Sequence, residues 1–110
     1  MTSEALEFRC AELRQPVLNL VETGIAASMK PSDAPLLLER IEAVRAVLAR
    51  GTDGIEERQY LEWHPIALET LRGMDAAARA GDTAASWALF KDPSTGFNTL
   101  GQACQGCQGW

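Results

Sequence analysis

The sequence predicts an all-α protein, an antiparallel up-down-up-down four-helix bundle that forms a single domain over residues 1–110. Apolar residues recur at +3 and +4 in four successive segments, the signature of helices with one buried face. No stretch alternates with period two for long enough to argue a strand. The breaks between segments are mostly short, and short connections place consecutive helices side by side and antiparallel.

The first helix is expected from about Ser3 to Ser28, where Leu6, Cys10, Leu13, Val17 and Leu20 make a core stripe. Pro16 falls inside that stripe and should kink the helix, since it removes a backbone donor and crowds the preceding turn. Lys30-Pro31-Ser32-Asp33 breaks the chain, and Ser32 is the expected N-cap of a second helix over about Asp33 to Arg50. That helix buries Leu37, Ile41, Val44 and Leu48, turns Glu39, Arg40, Glu42 and Arg45 outward, and ends at Gly51. Residues Thr52 to Trp63 read as a polar connection with room for a short helix. His64-Pro65 is expected to open the third helix, because proline suits the first helical position; Ala67, Leu71, Met74 and Ala78 form its stripe, and Gly81 stops it. A fourth helix starts near Asp82 or Thr83 and is interrupted at Asp92-Pro93-Ser94-Thr95-Gly96. It resumes with Phe97, Leu100, Cys104 and Cys107.

Composition narrows the function. The 110 residues carry 10 Lys+Arg against 15 Asp+Glu, a formal charge of −5. With no basic stripe there is nothing to neutralise a run of phosphates, so a nucleic-acid partner is excluded, as is an anionic membrane surface. An apolar share of 46% with 23% charged residues is ordinary for a globular chain and large enough for one core. No apolar run approaches a membrane span, and the acidic N-terminus lacks the basic and apolar regions of an export signal. The chain as written reads as soluble and cytoplasmic. It reads as periplasmic if Met1 is a start residue placed ahead of a mature exported domain.

The chemistry-bearing residues gather at one place. In an up-down-up-down bundle the starts of the first and third helices and the end of the fourth share one end, which makes Cys10, His64, Cys104 and Cys107 candidate neighbours. Cys10 lies about 10 Å into the first helix at 1.5 Å per residue, and the other two cysteines lie at a similar depth from that end. Cys10 should therefore come within one side-chain layer of the Cys-x-x-Cys pair. Three cysteines are an odd count, too few for a disulfide framework. Several readings remain open. Buried thiols behave as small hydrophobes and would serve as inert core residues. Cys10, His64, Cys104 and Cys107 would together give a Cys₃His zinc tetrahedron. A redox pair is disfavoured, because the helix dipole at a C-terminal end opposes a thiolate.

The stretch Leu100-Gly101-Gln102-Ala103-Cys104-Gln105-Gly106-Cys107, closing a small all-α chain, resembles the haem-attachment end of the cytochrome c′ family. Phe8-Arg9-Cys10-Ala11 is similar to that family's aromatic-Arg-x-Ala stretch, and Ala77-Ala78-Arg79-Ala80-Gly81-Asp82 to its turn before the last helix. The resemblance implies covalent haem c on Cys104 and Cys107, with Arg9 near a propionate and Leu13 and the Gln108 position among the cofactor-binding residues. It also implies a gas-binding or electron-transport role and a homodimer. The departure is Gln108, which stands where the motif requires histidine; a carboxamide is a poor axial ligand to iron. The expected protein is therefore a cytochrome c′-like bundle that has lost haem ligation and works as a non-enzymatic binding or interaction protein, with no cofactor. Haem c and zinc are the alternatives.

Enzyme signatures are absent: there is no phosphate loop, no HExxH and no nucleophile beside the single histidine. Glu56, Glu57 and Glu62 read as a solvated face. Trp63, Trp87 and Trp110 read as core rather than pocket, and Met74 as core rather than iron ligand.

Overall fold

The computed structural model describes residues 2–110 and is all-helical, with no strand among them. The α-helices are α1 (Glu4–Met29), α2 (Ala34–Leu48), α3 (Arg58–Arg79), α4 (Thr83–Lys91) and α5 (Leu100–Ala103), with 3-10 turns at Pro31–Asp33 and Phe97–Thr99. Helix α1 packs on α2 and α4, α3 packs on the same two, and α5 rests on α3.

Ser3 caps α1, its hydroxyl accepting the Leu6 N–H at 3.2 Å, while Glu4 and Glu7 in the first turn complement the helix dipole. At 1.5 Å per residue its 26 residues run about 39 Å. That nearly matches the 43 Å long axis of the molecule. All five residues of the expected stripe are buried, as are Leu37, Ile41, Val44 and Leu48 of α2. Ser32 does not cap α2. It lies inside the 3-10 turn, and Asp33 takes the cap position without a side-chain bond. Gly51 ends the segment in the left-handed region at φ 84°, its N–H donating to Leu48.

The third helix begins at Arg58, so His64 and Pro65 lie within it rather than at its start. The reason is that its apolar stripe starts earlier, at Tyr60 and Trp63, buried two turns and one turn before Ala67. Burial of these two rings outweighs the bond to the Leu61 carbonyl that Pro65 forgoes. The far end closes as a Schellman motif: Asp82 N–H donates to the Ala77 carbonyl at 2.9 Å and Gly81 N–H to Ala78 at 3.0 Å, with Gly81 at φ 81°.

The break after α4 is deeper than expected. Asp92 is extended ahead of Pro93, and its carboxylate accepts the N–H groups of Ser94 and Thr95 at 2.8 and 3.0 Å. Gly96 fits where a Cβ would sit 2.2 Å from the Phe90 carbonyl. Beyond it the chain makes only the 3-10 turn and the single turn of α5, then turns to the end. Gly96, Gly101, Gly106 and Gly109 account for this, since glycine costs a helix about 1 kcal/mol each. The segment stays in register through stacked rings. Trp87 stacks on Phe90, Phe90 on Phe97, and Phe97 meets the Trp63 edge, with centroids 5.0, 5.0 and 5.4 Å apart.

Candidate functional site

The expected cysteine end is closed by a covalent bridge. Cys10 sits on the inner stripe of α1 and Cys104 just beyond α5, both fully buried, and they are joined by a disulfide with Cα atoms 5.9 Å apart. The bridge closes a loop of 94 residues. Trp110 adds a second tie, its indole N–H donating to the Cys10 carbonyl at 2.9 Å. Cys107 remains a buried thiol, its N–H donating to the Cys104 carbonyl at 3.0 Å across Gly106, which lies at φ 91°. Burial, and then the carboxylates of Glu7 and Glu57, push this thiol above its ordinary pKa.

Several expectations for these residues need correction. The disulfide uses the sulfurs of Cys10 and Cys104, so neither is a thiolate ready for zinc. His64 turns toward Tyr60, with Nδ1 3.5 Å from the phenol oxygen. Burial, and then the charge of Arg9, lower the His64 pKa. Among the described residues no group of three or more His, Cys, Asp or Glu side chains is arranged to hold a metal. The fourth helix does not run on through Cys104 and Cys107, because α5 ends at Ala103. An odd cysteine count concealed the bridge; the equal depth of Cys10 and Cys104 was the signal that pointed to it.

Nor do these residues fit a covalently attached haem. One of the two required sulfurs is bonded to Cys10, and Gln108 is exposed in the terminal turn. Leu13 is closed within the core. Arg9 is buried with its guanidinium on the Gly51 carbonyl, and its Nε lies 3.4 Å from Glu12, which also pairs with Arg50. Arg9 thus fastens the α2–α3 connection to α1. Glu57 does the same further along: its carboxylate accepts the Ser3 N–H at 2.6 Å and the Ser3 hydroxyl at 2.7 Å.

An open groove lies elsewhere, along α3 and α4. It encloses about 490 Å³ and is lined by Pro65, Ile66, Glu69, Thr70, Gly73, Leu89 and Thr95. Ile66 and Leu89 present apolar surface at its walls. Gly73 keeps it open toward α4, since a Cβ there would stand 3.2 Å from Leu89 Cδ1. Thr70 donates its hydroxyl to the Thr95 carbonyl at 2.5 Å and so fixes the loop that closes one side. Ile66 also borders a second hollow with Trp63, Thr99, Gln102 and Ala103. A glycine in mid-helix was the trace this groove left in the sequence.

Comparison with protein-family models, with curated proteins and with solved structures returned no match.

Proposed function

We propose that the chain is an antiparallel four-helix bundle, similar in plan to cytochromes c′ but without haem, that works as a non-enzymatic binding protein. Its binding surface is the α3–α4 groove. The observation that carries this reading is the contrast between a cysteine end closed by the Cys10–Cys104 bridge and an open, largely apolar groove of about 490 Å³. That size is within the range of sites that hold small organic molecules. The bridge also points to an oxidising compartment, where such bonds persist. For the homodimer, the matching surface is the exposed stripe of Leu18, Ile25 and Met29 on α1.

Two measurements test the proposal. Native protein should bind one equivalent of an anilinonaphthalene sulfonate probe saturably, with energy transfer from tryptophan, and Gly73→Leu should abolish binding while leaving the helical circular dichroism intact. Binding unaffected by Gly73→Leu would move the site elsewhere. Expression with an export signal and a haem-attachment system should yield colourless protein; stoichiometric thioether-linked haem would overturn the haemless reading.

A further inference from the structure

The bridge and the remaining thiol share one residue. Cys104 is paired with Cys10 across 5.9 Å between Cα atoms, and it is also the first residue of a hydrogen-bonded turn ending at Cys107. A turn closed by an i to i+3 hydrogen bond brings its terminal Cα atoms within about 7 Å, inside or at the edge of the span a disulfide bridges. Gly106, at φ 91°, supplies the left-handed conformation that such a tight turn needs at its third position. Cys104 therefore has two partners within reach, and only one can be bonded to it at a time.

We propose that Cys107 is a resolving thiol whose attack on Cys104 exchanges the Cys10–Cys104 bridge for a Cys104–Cys107 bridge and sets Cys10 free. The Cys107 thiolate sulfur bonds to Cys104 Sγ, the bond from Cys104 to Cys10 breaks, and its electron pair leaves on Cys10 Sγ. The proton lost from Cys107 to solvent is balanced by the one Cys10 takes up. The exchange is redox-neutral and needs no added oxidant or reductant.

Its consequence is topological. The starting bridge spans 94 residues and ties the end of the chain to α1; the product spans three and ties the terminal turn only to itself. Loop-closure entropy favours the short bridge whenever the chain loosens, so the packed α1 stripe and the Trp110 indole on the Cys10 carbonyl must hold the long one in place. Burial of Cys107 beside Glu7 and Glu57 keeps it protonated and the exchange latent. The cysteine end is thus a latch that opens when the terminal segment frays.

The test is a time course on the unreduced chain in mild denaturant, which frays the terminal segment and exposes Cys107, at about pH 9, where an exposed thiol is largely ionised, in buffer free of thiols and metals. Samples are quenched in acid, alkylated and mapped as peptides. At the start the label sits on Cys107 alone. With time it moves to Cys10 while a linked Cys104–Cys107 peptide accumulates, and Cys10 labelling exceeds that of Cys107→Ala by about tenfold. The exchanged species should melt at the lower temperature of the reduced chain. Label confined to Cys107 throughout overturns the exchange and leaves the bridge standing. Equal labelling of Cys10 in Cys107→Ala also overturns it, because the bridge would then open by another route. Label on all three cysteines at the start removes the bridge and the proposal together. The unaltered chain's own peptide map decides between these outcomes even if Cys107→Ala folds poorly.

Discussion

The two ends of the molecule are held in different ways. At the end farther from the cysteines, α1, α3 and α4 approach closely through small residues and hydroxyls. Gly24 faces the Trp87 ring where a Cβ would lie 2.4 Å from Cε3. The buried Thr83 hydroxyl donates to the Ala27 carbonyl, and Ser86 donates to Met74 at 3.0 Å. At the cysteine end, a terminal segment with a single helical turn is kept on α1 by a covalent bond and one indole. Regular helices with a continuous apolar stripe hold by packing. A glycine-rich segment loses much backbone entropy on ordering and makes only one helical turn of its own, so a staple adds to what its buried side chains supply.

The largest effect should come from cutting the staple. Replacing both Cys10 and Cys104 by alanine removes a loop of 94 residues and should cost about 3–5 kcal/mol, lowering the melting temperature by about 15–30 °C. Calorimetry of the variant and of reduced native protein should agree. A loss below about 1 kcal/mol would mean that packing alone secures both ends. At the opposite end, Gly24→Ala should destabilise by about 1–3 kcal/mol in urea unfolding, because overpacking against Trp87 outweighs the gain in helix propensity. Thr83→Val, which removes the buried hydroxyl bond to the Ala27 carbonyl but leaves that carbonyl the Lys30 N–H, should cost about 1 kcal/mol.

A same-type substitution at the stapled end should have the opposite sign. Gly101 is helical, and nothing lies within 4 Å of an added Cβ, so Gly101→Ala should stabilise by about 0.5–1 kcal/mol. A gain at Gly24 or a loss at Gly101 would invert the comparison. The smallest effects are those of acid, and two of the groups that carry them, His64 and Glu57, lie near the start of α3. His64 is held below its ordinary value of 6.5 by burial and by Arg9, so the unfolded chain takes up its proton first and stability falls as pH drops through and below that value. Glu57, lowered from 4.5 by its bonds to Ser3, adds a second fall in more acid solution as its carboxylate is protonated. His64→Gln should remove the first limb of the pH–stability curve, and Glu57→Gln should shrink the second, to which the lowered carboxylates of Asp92 and Glu69 also contribute.

Much of this contrast was legible in the sequence, and the illegible part has a physical cause. The stripes of α1 and α2, the stop at Gly81 and the break at Asp92-Pro93 follow from spacing and from local backbone chemistry, which act within a few residues. The start of α3 is obscured because Tyr60 stands among polar neighbours and because His64-Pro65 has the form of a helix start, although Trp63 just before it reads as core. The last segment is less helical than its spacing implies: its apolar positions are buried as the stripe requires, but Gly101, Gly106 and Gly109 limit α5 to a single turn. The depth of Cys10 and Cys104 from one end put them together, whereas the choice between thiol, metal and bridge depends on sulfur geometry that no spacing encodes. The groove depends on Gly73 and Leu89 meeting across two helices, equally a property of the assembled fold.

The central claim is that the cysteine end is a covalent staple with one thiol to spare. Alkylation of the native, unreduced chain in mild denaturant near pH 7, with the intact mass and peptide map read at once, tests it most directly. One label, on Cys107, and a linked peptide pair containing Cys10 and Cys104 are expected. Three labels, or a native chain already linked between Cys104 and Cys107, would contradict it.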